Sequence, residues 1–234
     1  MINMHKIAVM DYESDSVDPY TCQPTQLACL MVEPRTLEII PGSEFNSLMR
    51  PADIDNDNYL QEHKNTIEFH AKNQHSTAEE VVATWKEAPS QKVVWQKFVN
   101  YLLQYHTTQS RKSVWTAPIV AGMNIINFDC IINDRLAKLY GNVDKQGRST
   151  LFYARDRLDL MLYCTQWFES SEEPKSYSMD ALREYFGIDA EGAHDALKDV
   201  KDTSNILIKF QKLIRKTSAK VKFAGAFLTD NNES

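Results

Sequence analysis

The chain has 234 residues, of which 43% are hydrophobic and 25% are charged, a composition typical of a globular protein with a substantial core. Its formal net charge of −6 at pH 7 argues against a protein that wraps nucleic acid over its whole surface, although a local binding site stays open. No run approaches the roughly 18 apolar residues that span a bilayer, and "MINMHKIAVM" is too short for a signal peptide, so we expect a cytoplasmic protein with no membrane partner.

Three strands are predicted in the first quarter of the chain. "KIAVMDYESDS" (6–16) opens with an apolar run, and "TQLACLMVE" (25–33) and "EFNSLMRP" (44–51) follow it, with a turn at 41–43 between the last two. We expect these three strands to pair antiparallel. The polar stretch 52–74 is predicted to be a loop, because it is rich in Asn and Asp.

Two helices are predicted after this polar stretch. Ser76 and Glu79 form an S-x-x-E capping box that opens a helix in "TAEEVVATWKEA". A second helix is predicted from about Lys92 to His106, because the apolar residues there recur at helical spacing.

In the second half of the chain, strands alternate with helices. "APIVAGMN" (117–124) is a short apolar run typical of a buried strand, and "FDCIINDRLAKLYG" predicts a helix that Gly141 ends. A strand-like stretch around 151–160 leads into "MLYCTQWF", and a loop follows at 169–176.

Two further helices are predicted near the end of the chain. Ser178 caps a short helix in "MDALREYFG" that Gly187 closes, and the last long helix runs from near His194 to about Lys216. Leading antiparallel strands, followed by parallel strands that alternate with helices, predict an α/β fold with a mixed β-sheet flanked by helices.

The C-terminal end of the chain is basic and partly apolar. We expect one domain over 1–214 and a tail over 215–234, in which "VKFAGAFL" (221–228) places apolar residues among polar ones. The cations of this region complement a helix C-terminus and a solvated face, or they form a phosphate track or a partner-binding end, and the sequence leaves both open. These cations are Lys209, Lys212, Arg215, Lys216, Lys220 and Lys222.

Asp11 and Glu13 raise the question of function, because a strand that begins in the core ends in two acids. Residues i and i+2 of a strand point to the same face, so the two carboxylates lie close together and repel each other. Either the pair is solvated at the end of the strand, or a cation completes it. The pair alone does not decide between these alternatives.

Two further acid positions stand at boundaries between elements. "NIINFDCII" puts Asp129 in the first turn of a helix, where the helix dipole favours an acid. "GAHDALKDVKDT" supplies His194 and Asp199, which can meet at one site only if His194 lies in the segment before the helix. Asp195 and Asp202 are interpreted as part of a solvated face.

These residues form an ordered set of motifs that resembles a known family. D-x-E (Asp11, Glu13), a block from Asn124 ending in Asn-Phe-Asp at Asp129, and H-x-x-x-x-D (His194, Asp199) follow one another in that order. Together they look like the signature blocks of the DEDD-type 3′→5′ exonucleases of RNase H-like fold, in the histidine-bearing (DEDDh) subgroup. That subgroup includes DnaQ-like proofreading subunits and oligoribonucleases. The resemblance covers about residues 5–214.

The resemblance implies a site with two metal ions. Asp11, Glu13, Asp129 and Asp199 would hold the ions, and four carboxylates carry the charge that two divalent cations neutralise. Ligands that are all oxygen suit Mg²⁺ or Mn²⁺. His194 would act as the general base for the attacking water. Asp159 lies in "RLDLMLYC", another segment that resembles the family. It is interpreted either as a residue that supports the metal ligands from behind or as an acid at a helix N-terminus.

The resemblance also predicts contacts with the substrate. Ser14, Asn124, Asn127 and Phe128 are candidate substrate-binding residues, although a structural role is the favoured interpretation for the last three. The family usually follows its D-x-E with Thr-Gly, whereas this chain has Ser14 and Asp15, and Asp15 adds negative charge near the phosphate unless it points away. Met123, where many members have histidine, is taken to be unimportant.

The predicted function is that of a metal-dependent 3′→5′ exonuclease. It would release nucleoside 5′-monophosphates from the 3′ end of single-stranded DNA or RNA, with DNA slightly favoured. Two alternatives stay open, namely an oligoribonuclease-like RNA 3′ trimmer and a polymerase or repair-complex subunit that acts mainly by docking through the C-terminal tail.

Overall fold

The computed structural model of the protein describes residues 5–107 and 116–220. Its strands are β1 Ile7–Ser14, β2 Pro24–Glu33, β3 Glu38–Ile39, β4 Phe45–Leu48, β5 Ile119–Gly122 and β6 Arg157–Asp159. Its helices are α1 Tyr59–Glu62, α2 Lys64–Asn73, α3 Ala78–Glu87, α4 Gln91–Leu103, α5 Asp129–Tyr140, α6 Leu160–Trp167, α7 Met179–Phe186 and α8 Ala196–Lys220. Within these two ranges, no helix combines the length and the apolar character needed to cross a membrane.

The strands form one mixed sheet in the order β3-β2-β1-β5-β6, with β4 pairing with β2 beside β3. β1 pairs antiparallel with β2, and β2 pairs antiparallel with β4, whereas β5 pairs parallel with both β1 and β6. The predicted mixed sheet, with leading antiparallel strands followed by parallel ones, is confirmed. β1 lies at the centre of this sheet, between β2 and β5. Both of its faces are covered.

The two faces of β1 pack against different helices. Met10 and its neighbours on that face belong to the core that also contains residues of α4 and α5. Ile7 and Val9 pack with apolar residues of α8 on the other face. Because side chains alternate along a strand, Asp11 and Glu13 continue the row of Ile7 and Val9 and face α8.

The prediction of a loop over 52–74 is wrong from residue 59 onward, because α1 and α2 occupy most of 59–73. Ile67 and Ala71 of α2 pack with Trp85 of α3 in a small separate core. The high content of polar residues made α2 difficult to recognise from the sequence. Its narrow apolar face packs against neighbouring helices rather than against the main core. The capping box next to it is also displaced by one residue, to Thr77 and Glu80. Adjacent Ser-Thr and Glu-Glu pairs offer two registers to this motif, and the structure uses the second.

Other helix ends agree with the sequence or shift by less than two turns. Gly141 and Gly187 end α5 and α7 in the left-handed conformation, with φ of 84° and 64°, as predicted. α4 ends at Leu103 rather than near 106, and β6 occupies only three residues of the strand-like stretch 151–160. α8 continues past the predicted start of the tail at 215, and 221–234 lie outside the described residues.

Candidate active site

Three carboxylates meet where the end of β1 faces the first turns of α8. Asp11, Glu13 and Asp199 each offer an oxygen atom, and these three atoms all lie within 4.8 Å of one another. β1 supplies two of the acids through its two-residue period, and α8 supplies the third because Val200 beside it packs against the same face of the sheet. The first and last of the predicted motif blocks are therefore adjacent in space.

Asp129 joins this group from the opposite side of β1. It is the first residue of α5 and is only 2% exposed. One of its carboxylate oxygens, Oδ1, accepts a hydrogen bond of 2.9 Å from the backbone N–H of Tyr12, which lies between Asp11 and Glu13 on β1. This bond aligns α5 with the strand and leaves the second oxygen of Asp129 for another partner.

Burial raises the pKa values of all four acids, and the charges of the cluster raise those of Asp11 and Glu13 further. Burial, followed by the charges of Asp129, Glu13 and Asp199, raises the pKa of Asp11 well above its ordinary value. Burial and the charge of Asp199 raise the pKa of Glu13 to about 8. Burial also raises the pKa of Asp129 to about 7, against the opposing effect of the Tyr12 N–H. Burial raises the pKa of Asp199 as well. Because these groups lack enough positive charge around them, the cluster is prepared to bind cations.

His194 lies in the segment before α8, which is the only placement that lets it approach Asp199. Its φ of 65° turns the chain into the helix, and its backbone N–H donates a 3.2 Å hydrogen bond to Oδ1 of Asp199. Its ring contacts Phe69 with centroids 4.8 Å apart, and its Nε2 lies 3.8 Å from Oδ2 of Asp180. The imidazole therefore lies between Phe69 of α2 and Asp180 of α7, whereas the backbone of His194 contacts Asp199. His194 is not among the residues that line the cleft over the acids.

An open cleft of about 630 Å³ lies over the acids. Ser14, Asn124 and Phe128 line it, as do the four acids, whereas Asn127 is outside the lining and donates its side-chain N–H to Oδ1 of Asn124. The hydroxyl of Ser14 donates to the carbonyl oxygen of Ser16 at 2.7 Å. Met123 was predicted to be unimportant, but it also lines the cleft.

Asp15 points away from the cleft, which removes the expected conflict with phosphate. Its side chain is fully buried and accepts hydrogen bonds from the Tyr59 hydroxyl at 3.0 Å and the Gln23 N–H at 2.8 Å. His63 lies 3.8 Å from the same carboxylate. The residue that departs from the family's Thr-Gly pair thus anchors α1 and the start of α2 to the end of β1.

The wall that α2 forms was missed by the sequence analysis, because its segment was interpreted as a loop. Asn65, Thr66, Phe69 and His70 line the cleft from this helix. His70 is 3% exposed, and its Nε2 lies 3.2 Å from the carbonyl oxygen of Ser14 and 3.9 Å from Glu13. The i, i+3, i+4 spacing of Ile67, His70 and Ala71 was the available signal, and all three are buried.

A buried ion-pair network lies directly behind Asp199, and it corrects the interpretation of Asp202 as solvated. Asp202 is 4% exposed and accepts hydrogen bonds from Arg183 at 2.8 Å and from Lys198. Arg183, which the sequence analysis did not single out, also donates to Asp199 at 2.5 Å. Asp195 is exposed, but it is a helix cap rather than a mere surface charge, since it accepts the N–H groups of Leu197 and Lys198.

Asp159 combines the two roles that the sequence left open. Its side chain accepts the N–H of Met161 and thereby caps α6. It also accepts the N–H of Ile126, in the loop that leads to Asp129, and its charge contributes to raising the pKa of Asp129. It therefore supports the acid cluster from behind.

The sequence matches no protein-family model and no curated protein. Solved structures, however, share its fold. Cell-death related nuclease 4 aligns with a TM-score of 0.59 and 16% identity, over 91% of this chain and 64% of that chain. Escherichia coli exonuclease I in complex with a dA16 oligonucleotide aligns with a TM-score of 0.58 and 16% identity, over 90% of this chain and 42% of that chain. A 3′-exonuclease that recognises the histone mRNA stem-loop aligns with a TM-score of 0.57 and 14% identity, over 89% of this chain and 82% of that chain.

The likeness at this level of identity shows the fold. The chain has the RNase H-like fold of these exonucleases, as the motifs predicted. It spans less than two thirds of cell-death related nuclease 4 and less than half of exonuclease I.

Proposed function

We propose that this protein is a divalent-metal-dependent 3′→5′ exonuclease. The observation that carries the proposal is the meeting of Asp11, Glu13 and Asp199 within 4.8 Å, beside buried Asp129, at the floor of an open cleft. The fold shared with solved exonucleases supports it. A fold alone does not establish a function, but here the residues of the predicted motifs also meet at one site.

The residues present fit two Mg²⁺ or Mn²⁺ ions. Asp11, Glu13, Asp129 and Asp199 offer only oxygen ligands, and their mutual repulsion in a partly buried setting is relieved when cations bind. Bound ions of this kind would make water a stronger nucleophile and stabilise the charge that develops on the phosphate.

The chain's own residues would position the substrate and move one proton. His194 accepts a proton from the water that attacks the phosphorus of the last phosphodiester. The bond from phosphorus to the 3′ oxygen of the preceding nucleotide breaks, and that oxygen takes up a proton from solvent. The products are a nucleoside 5′-monophosphate and a strand shortened by one residue with a free 3′ hydroxyl. Ser14, Asn124 and Phe128 line the space for the terminal nucleotide, with Asn127 supporting Asn124.

The shape of the cleft favours a strand end. Its volume of about 630 Å³ is in the range of sites that enclose a small ligand, and α2 closes one side of it.

The test of the exonuclease proposal uses single-stranded DNA and RNA, each labelled at the 5′ or the 3′ end, with Mg²⁺, Mn²⁺ or chelator. We expect stepwise shortening from the 3′ end that chelator abolishes. Cutting in chelator, or cleavage of a circular strand, would contradict the proposal.

DNA and RNA are both supported as the substrate by the structural likeness. Exonuclease I was solved with a DNA oligonucleotide, whereas the histone mRNA 3′-exonuclease acts on RNA. We propose single-stranded DNA as the preferred substrate and RNA trimming as the second candidate. A ratio of kcat/KM below one for DNA over RNA of the same sequence and length would select the second.

A polymerase or repair partner is the remaining proposal, and it concerns the end of the chain. Deletion of 221–234 removes the apolar "VKFAGAFL" segment and leaves α8 intact. If this segment docks a partner, the deletion abolishes pull-down and leaves exonuclease activity unchanged. Unchanged pull-down would exclude the tail as the docking element.

A further inference from the structure

Arg183 is a charged residue in a place where charge is expensive. It lies on α7, is 1% exposed, and belongs to the largest fully buried side chains among the described residues. An arginine at such a depth is tolerated only when its donors are matched by acceptors of opposite charge. The identity of those acceptors therefore indicates what the residue does.

The guanidinium group connects three acids of two helices. Its Nη2 donates to Oδ1 of Asp199 at 2.5 Å, its Nε donates to Oδ2 of Asp202 at 2.8 Å, and its Nη1 donates to Oδ1 of Asp180 at 3.0 Å. The planar fork of an arginine suits such multiple contacts, which a lysine cannot reproduce. Asp202 is held a second time by Lys198, so the far end of the fork is fixed to α8.

Both hydrogen bonds to the Asp199 side chain end on the same oxygen. Arg183 and the backbone N–H of His194 each donate to Oδ1. Among the described residues, none donates a hydrogen bond to Oδ2. The carboxylate is thus held in one orientation, with one oxygen engaged and the other left for a ligand on the side of Asp11 and Glu13.

The charge of Arg183 acts in the same direction as this geometry. It lowers the pKa of Asp199 against the effect of burial, and it also lowers the pKa of Asp11. A carboxylate that is already held in one orientation binds a divalent cation without first rotating.

We propose that Arg183 is a positioning residue that holds the Asp199 carboxylate in one orientation for metal binding. The inference rests on the proposed function, because it takes Asp199 to be a metal ligand. Partners that hydrogen-bond to metal ligands typically change metal affinity by about 10- to 100-fold when they are removed.

The test is a calorimetric titration of the metal-free full chain with Mn²⁺, which needs no substrate. We expect Arg183→Gln to bind Mn²⁺ about tenfold more weakly than the wild type. Arg183→Lys keeps the charge and loses the fork, so its affinity should fall between the two, and it also serves if Arg183→Gln does not fold. A control variant separates positioning from stability. Arg135→Gln removes an arginine that donates to the carbonyls of Pro19 and Cys22 and contacts none of the four acids.

The control should bind Mn²⁺ within about threefold of the wild type even if it melts at lower temperature. Wild-type affinity in both Arg183 variants, tighter binding in Arg183→Gln, or an equal loss in Arg135→Gln would overturn the inference. In the first case Arg183 is only structural, in the second it is a competing counter-charge, and in the third general destabilisation explains the loss. A wild type that binds no Mn²⁺ would instead contradict the proposed function itself.

Discussion

Asp199 and Asp202 lie three residues apart on α8, yet they occupy opposite electrostatic surroundings. Asp202 is paired with Arg183 and Lys198, so its charge is compensated inside the protein. Asp199 shares Arg183 but faces Asp11 and Glu13, which bring two more negative charges. The charges around Asp202 balance without a ligand, whereas under the proposed function bound cations balance those around Asp199.

This difference distinguishes a structural acid from a functional one. A protein selected for stability alone would pair every buried acid with a cation, as it does for Asp202. The excess negative charge around Asp11 is therefore retained at the expense of stability, as is common at active sites. The experiments below change one neighbourhood at a time, beginning with the largest expected effect.

Loss of Asp11 should have the largest effect. Asp11→Asn removes a charged ligand from the middle of the cluster, and the hydrolysis rate should fall about a thousandfold, the effect of losing several kcal/mol of transition-state stabilisation. The rate of 3′-end shortening in Mg²⁺ measures this. Asp144→Asn, at a half-buried acid that pairs with Arg148, is the matched control and should retain full activity. A rate within tenfold of the wild type in Asp11→Asn would refute the assignment.

Loss of the imidazole of His194 should reduce the rate less. His194→Ala should slow hydrolysis by about a hundredfold, as is typical for removal of a general base, and Mn²⁺ affinity should stay near that of the wild type. Because residue 194 has positive φ, His194→Asn is the better matched variant, since asparagine tolerates this conformation. Retention of activity in both variants would assign the proton transfer to another group.

The same change from Asp to Asn should alter stability in opposite directions at the two neighbourhoods. In chelator, Asp202→Asn should lower the free energy of unfolding by about 3 kcal/mol, because it leaves buried cations partly unpaired. Asp11→Asn should raise it by about 1 kcal/mol, because it relieves repulsion among like charges. Urea unfolding measures both values. If the two variants shift stability in the same direction, the contrast between the neighbourhoods is wrong.

The uncompensated acids also predict how stability depends on pH. The pKa values of Glu13 and Asp129 are raised in the folded protein to about 8 and about 7, above their values in the unfolded chain. The folded state therefore binds more protons in this range, so its stability is lost as pH rises through those values. Thermal unfolding in chelator should show a lower melting temperature at about pH 9 than at about pH 6, and saturating Mn²⁺ should reduce this difference. A melting temperature that rises over this range in chelator would contradict the raised pKa values.

The smallest effect is expected at Asp15, a buried acid beside the cleft whose carboxylate accepts hydrogen bonds from Tyr59 and Gln23. Tyr59→Phe removes one of its hydrogen bonds and should lower the free energy of unfolding by about 1 kcal/mol, with Mn²⁺ affinity unchanged. Tyr20→Phe, at a tyrosine that is 69% exposed, is the control and should have no effect on stability. A loss of Mn²⁺ binding in Tyr59→Phe would show that the wall formed by α1 and α2 orients the metal ligands.

Local rules predicted much of the fold and the set of candidate residues. The two-residue period of a strand placed Asp11 and Glu13 on one face, and Gly187 ended α7 where predicted. These predictions succeed because they depend on neighbours within one turn or one pleat of the chain. The prediction for the α2 segment failed because it also relied on local pattern alone. The few apolar residues of α2 show no strong helical period, and they are buried by contacts with α3.

What the sequence determined by itself is the order of the motifs, the identity of the acids and the placement of His194 before α8. The tertiary structure alone decided which acids are compensated, because Arg183 reaches Asp199 across 16 residues and Tyr12 reaches Asp129 across 117. The same holds for the direction in which Asp15 points. A side chain's charge is written in the sequence, whereas its surroundings depend on contacts that only packing creates.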